Sequence, residues 1–136
     1  MVPFTAANAY ARIGLETGVA AATPQRLVVM LYDGALAALA EARRHILAGD
    51  TPQKGRAIGK AIAIVSEGLK GSLNMARGGT IALHLHDLYD YLERRLLAAN
   101  LTGDVAGIDE AAALLGELRG AWATLAAGAG MEASHA

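Results

Sequence analysis

Residues 23–46 read TPQRLVVMLYDGALAALAEARRHI. Thr23 can accept a hydrogen bond from an unsatisfied backbone N–H at a helix start, and Pro24 suits the first helical turn, where its missing N–H would have had no partner anyway. Leu27, Met30, Leu31, Ala35, Ala38, Ala42 and Ile46 then recur every three or four residues. That spacing lines one face of an α-helix. Gly49 ends the run.

The same pattern recurs along the chain. Asp50-Thr51-Pro52 opens a second helix with Ile58, Ile62, Val65, Leu69 and Leu73 on one face, and Gly78-Gly79 is expected to break it. A third face runs Ile81, Leu85, Leu88, Leu92, Leu96 and Ala99, stopped by Asn100 and Gly103. Asp104 then caps a fourth helix carrying Val105, Ile108, Ala112, Leu115, Leu118, Trp122 and Leu125. No segment alternates with period two, and no Asn-Gly hairpin signal occurs. Four helices on short loops predict an all-α fold, an antiparallel up-down four-helix bundle. The expected organisation is an N-terminal arm or short cap helix over residues 1–22, with a helical turn near Ala7 to Ile13, the bundle over 23–126 and a flexible tail over 127–136.

Composition narrows the function. The 136 residues are 54% hydrophobic but only 4% aromatic and 18% charged, and mean hydropathy is +0.31. Such an apolar surplus implies membrane entry or apolar surface held for a partner. A spanning helix needs roughly 20 apolar residues. The longest stretch free of Asp, Glu, Lys and Arg is the twelve residues Gly120 to Met131, rich in Gly and Ala, so no membrane insertion is expected. Met1-Val2-Pro3-Phe4-Thr5 has no basic, apolar signal-peptide pattern. There is no cysteine, which suits a reducing compartment, and a net charge of −1 gives no pull toward nucleic acid. Glycines one turn apart, Gly55 with Gly59 and Gly116 with Gly120, imply close packing or a helix surface kept low.

Sites for chemistry are scarce. A di-iron bundle needs two Glu-x-x-His motifs, and the chain has one, Glu132 to His135. His84 and His86 diverge by about 200° on a helix and do not share a metal. Met30 and Met75 read as core rather than haem ligands, and Ser66, Ser72 and Ser134 lack a nucleophile elbow. Gly78-Gly79 lacks the lysine of a phosphate loop. Asp90 and Arg94 are spaced for an i,i+4 ion pair. No metal, no cofactor and no enzymatic activity are expected. The tyrosines are more informative. Tyr32-Asp33 and Leu88-Tyr89-Asp90-Tyr91-Leu92 set amphipathic rings, common at interfaces, beside core positions, and Tyr10 stands in the arm.

Those residues carry a resemblance. Ala22 to Ala35, then Gly78-Gly79-Thr80-Ile81-Ala82, Leu85, Leu88 to Leu92, Arg94-Arg95-Leu96, Ala99-Asn100 and the late Trp122 occur in the order and spacing of the flagellar secretion chaperone FliS family. Tyr10 matches that family's N-terminal tyrosine. The chain resembles the family over roughly residues 8 to 125, nearly its whole length. Gly14 to Ala22 is longer than in the family's compact members.

The resemblance implies a cytoplasmic, non-enzymatic chaperone. It implies that the chain binds the disordered C-terminal segment of flagellin, prevents premature polymerisation and delivers the client to an export gate protein of the flagellar type III apparatus. The client surface is expected at Tyr10, Ile13, Leu27, Leu31, Tyr32, Asp33, Leu88, Tyr89, Tyr91 and Leu92. The free protein is expected to be a monomer or weak homodimer; the rival reading is a self-associating structural bundle without a flagellin client. Ile13, Leu15 and Ala20-Ala21-Ala22 are expected to cover the groove until a client displaces them. Amide exchange over residues 8–22 should then rise when client peptide binds, and unchanged protection would overturn that arrangement.

Overall fold

The computed structural model describes residues 23–135, with side chains through residue 128. The arm, its turn near Ala7 to Ile13, and Tyr10, Ile13, Leu15 and Ala20 to Ala22 lie outside the described residues. Four helical stretches follow: α1 (Pro24–Leu47), α2 (Thr51–Ala63) running on as a π-helix (Ile64–Lys70), α3 (Met75–Thr102) and α4 (Val105–His135). α4 thus continues beyond residue 126, the expected end of the bundle.

The start signals act as their chemistry requires. Thr23 Oγ1 accepts from Arg26 N at 3.1 Å, Asp50 Oδ1 from Gln53 N at 3.2 Å, and Asp104 Oδ1 from Ala106 N at 3.0 Å. Each satisfies an N–H that the helix itself leaves unpaired, worth about 1 kcal/mol relative to alanine. Gly103 closes α3 at φ 66°, a left-handed conformation that favours glycine.

α1 packs against α2 and α4, and α3 packs against α2, its π-helical extension and α4. α1 and α3 therefore face each other across the diagonal. Leu31, Leu39, Ile58, Ile64, Leu92, Leu96, Ile108 and Leu115 are fully buried between the helices. Ala35, Ala38, Ala42, Ala61, Ala99 and Ala111 line the same core. Ion pairs at the surface, Arg43 to Asp109 at 3.0 Å and Arg119 to Asp33 at 2.8 Å, join α4 to α1. Such exposed pairs contribute little, and burial holds the helices together.

Two boundaries differ from the periodicity. The second helix ends at Lys70, because the wider i→i+5 turn of its last stretch closes with Gly71 N–H on the Ser66 carbonyl at 3.2 Å. That turn faces Ile64-Val65 and Gly68-Leu69 together into the core. Gly68 allows a close approach there: a Cβ would stand 2.9 Å from Leu31 Cδ2, and the leucine would have to shift. α3 then starts at Met75 rather than after Gly78-Gly79, because the Asn74 side chain caps it, accepting from Arg77 N at 3.0 Å. Gly79 is not helical, at φ 54°, ψ −130°, and kinks α3 into two helical segments, so the glycine pair does interrupt the helix where the sequence places a break.

Three expected contacts also change. Ile81, just beyond the kink, is 72% exposed, and Leu125 is 57% exposed, so neither is core. Asp90 pairs with Lys70 of the π-helix at 2.8 Å instead of with Arg94.

Gly79→Ala should cost roughly 1–3 kcal/mol, because alanine is strained in that backbone conformation. Urea melts of the two proteins check this; equal midpoints would show that the kink can relax into regular helix.

Candidate functional site

The N-terminus of α1, the end of the π-helix, the N-terminal half of α3 and the C-terminal half of α4 meet at one end of the antiparallel bundle. The helices do not close there. A cavity of about 340 Å³ opens between Val28 of α1, Leu69 of the π-helix, Leu73, then Ile81, Ala82, Leu85 and Tyr89 of α3, and Trp122 of α4. Ser72, Asn74 and Arg77 supply its polar edge. The remaining lining is mostly aliphatic and aromatic, a surface suited to apolar side chains from another chain.

Tyr89 ties this cavity to the core. Its hydroxyl shares a hydrogen bond with that of Tyr32 across the α1–α3 diagonal. Both rings are buried. Burial, which disfavours the phenolate, pushes Tyr89 up to about 12. It pushes Tyr32 higher still, with Tyr89 adding to the rise and the nearby Trp122 opposing it. Both hydroxyls therefore stay neutral at physiological pH.

The expected site residues fall into three groups. Tyr32, Leu31 and Leu92 are fully buried and Leu27 nearly so, placing them in the wall and floor of the bundle, while Leu88 is half-buried against that core. Tyr89 reaches the cavity. Asp33 and Tyr91 do not: Asp33 faces Arg119, and the Tyr91 hydroxyl donates to Glu110. That bond, followed by the Arg95 guanidinium 2.9 Å away, holds the Glu110 carboxyl below its ordinary range. Val28, Leu73, Ile81, Leu85 and Arg77 line the cavity without having been marked by the tyrosine pattern. Ile81 carried no such signal: it is in phase with Leu85, and periodicity does not show that the helices leave an opening there.

The polar clusters are structural. Among the described residues, one group has metal-ligand spacing, His86, Asp87 and Asp90. The Lys70 ammonium already sits on Asp90 and on Glu93, both at 2.8 Å, and its bond draws the Asp90 carboxyl below its ordinary range. The Ser72 hydroxyl donates to the Gly68 carbonyl. No helix among the described residues is long and apolar enough to cross a membrane.

A helical bundle with an apolar opening at one end is suited to hold apolar side chains of another chain. Residues 6–129 match the family described as "Flagellar protein FliS". The chain is 43% identical over 128 residues to the flagellar secretion chaperone FliS of Salmonella typhimurium, covering 94% of this chain and 95% of that one. It is 41% identical over 115 residues to FliS of Escherichia coli, 85% of each chain, and 39% identical over 122 residues to FliSB of Pseudomonas aeruginosa, 90% of this chain and 96% of that one. The chain belongs to the FliS family of flagellar secretion chaperones. Its class of activity is therefore holding a client protein for secretion, not catalysis.

Tyr32→Phe or Tyr89→Phe alone leaves one buried hydroxyl unpaired and should cost about 1–3 kcal/mol, whereas the double variant should be close to the parent. A double-mutant cycle in urea reads that coupling, and strictly additive losses would refute it. The pair also sets an alkaline limit. An unfolded tyrosine ionises near pH 10, below both folded values, so this contribution is complete below about pH 10 and is lost as pH rises through the folded range. The melting temperature of the parent should fall more steeply above about pH 10 than that of the double phenylalanine variant.

Proposed function

We propose that this protein is a cytoplasmic chaperone for flagellin, holding its C-terminal segment until export. The observation that carries the reading is the apolar cavity at the open end of the bundle, in a chain of the flagellar secretion chaperone family. A client segment that is disordered alone gains partial helix by placing apolar side chains in this cavity, at an ordering cost of roughly 2–5 kcal/mol. Holding that segment removes the surface through which flagellin subunits would polymerise early. The loaded complex then delivers the client to the export gate of the flagellar type III apparatus. α1 starts at Pro24, one turn before Val28 of the cavity lining, which supports a role for residues 8–22 as the cover in the free protein.

A self-associating bundle is the second reading, favoured by Leu97 and Leu101, 53% and 87% exposed on α3 toward the other end. Sizing separates the two: a monomer that becomes a one-to-one complex with the flagellin peptide supports the chaperone, and a stable oligomer indifferent to peptide supports self-association.

Titration calorimetry with the flagellin C-terminal segment is the direct test. Ile81→Asp keeps the fold, since Ile81 is exposed, but places a charge in the mouth of the cavity. It should weaken binding by about tenfold or more. Absence of heat and of a complex with the parent protein would overturn the proposal.

A further inference from the structure

A second groove runs between α1 and α2 and shares no lining residue with the apolar cavity. Its volume is about 500 Å³. The floor is Gly34, Ala37 and Ala38 of α1 with Ala57 of α2, none carrying more than a methyl group. A low floor lets the backbone of a third helix come close.

The walls carry charge. On the α1 side Glu41 is already held by Arg44 at 2.6 Å, with His45 Nε2 3.5 Å away. On the α2 side Arg56 and Lys60 stand one turn apart and exposed. Among the described residues neither makes an ion pair or a side-chain hydrogen bond. Like charges at i,i+4 repel along a helix, so the pair is a standing cationic patch in the described chain. The protein's net charge is −1, so a cationic wall does not follow from a basic composition.

We propose that this groove docks an acidic helix of a partner protein. That helix sets Ala, Gly or Ser against the floor and two carboxylates, one turn apart, against Arg56 and Lys60. Two cations beside a carboxylate make a poor seat for a phosphate backbone, which favours a protein over a nucleic acid. A second copy of this chain fits badly. Its described acids that recur at helical spacing are Asp87, Asp90 and Glu93, and the last two already hold Lys70. Because the groove is separate from the apolar cavity, its occupant does not compete with a chain seated there.

The test is amide NMR on the full chain, using as probe a capped alanine-based helical peptide with two Glu four residues apart. An isomer carrying Lys in place of Glu is the control. The Glu peptide should shift Gly34, Ala37, Ala38 and Ala57 saturably, and the Lys peptide should not. Added salt should weaken the binding, since the contacts are exposed. Arg56→Glu combined with Lys60→Glu, both at exposed positions, should lower affinity for the Glu peptide about tenfold and create affinity for the Lys peptide. Thermal melts confirm that the variant is folded. No shifts with the Glu peptide, equal shifts with the Lys peptide, or a titration unchanged by the charge reversal would each overturn the proposal.

Discussion

The hydrogen bond between the Tyr32 and Tyr89 hydroxyls is the constraint on which the open end depends. Four apolar faces can slide past one another at little cost when alanine dominates the contact. Two buried hydroxyls cannot. If α1 slipped against α3, both would lose their partner in a dry core, at roughly 1–3 kcal/mol for each unpaired group. The two large rings also hold diagonal helices apart where alanines would let them approach. With α1 and α3 fixed at that distance, Val28, Leu85 and Trp122 flank a space instead of closing it. One polar pair thus specifies register and keeps a cavity open, and the aliphatic residues around it do neither alone.

The apolar surplus of the composition now has a place. Much of it is alanine at the helix contacts, Ala35, Ala38, Ala42, Ala61, Ala99 and Ala111, where small side chains allow close approach. Leucine and isoleucine fill what remains of the interior. The part left over lies at the cavity mouth with Ile81 and at exposed residues such as Leu97 and Leu101 further along α3. A bundle whose apolar excess is concealed as alanine avoids the large exposed aromatic patch that would drive aggregation. That fits a protein that must present apolar surface to a client yet stay dispersed without one.

Most of the fold was legible because its signals are local. Thr23-Pro24, Asp50-Thr51-Pro52 and Asp104 each satisfy backbone N–H groups within three residues, and such contacts can be read without knowing the tertiary structure. The period of Leu92, Leu96 and Ala99 needs only helical geometry. What was not legible is non-local. The π-helical turn at Ile64–Lys70 packs Gly68 against Leu31 of a different helix, a contact that no local pattern announces. Gly78-Gly79 did mark an interruption, while the short helical stretch ahead of it rests on Asn74, a weaker signal beside two glycines. The site suffered for the same reason. Tyr32 and Tyr89 stood out by residue type, but Ile81, in phase with Leu85 and Leu92, read as core because periodicity does not show that the bundle is open at that end. Asp33 and Tyr91, equally conspicuous, are held by Arg119 and Glu110 on α4, contacts that no sequence spacing encodes.

These irregularities share a location. The π-helical turn, the Gly79 kink and the cavity all lie toward one end of the bundle, while the other end is closed by the capped turns at Asp50 and Asp104. A π-turn and a glycine outside helical φ/ψ both reduce stability relative to regular helix, and such features collect where a protein binds. Placed in the middle, they would have loosened the core along its length. Placed at one end, they leave Leu39, Ile58, Leu96 and Ile108 in an unbroken packing region that carries the fold. The open end is then free to differ from a regular bundle: an unclosed corner lined by Leu73, Ile81 and Leu85, with Tyr89 and Trp122 beside it.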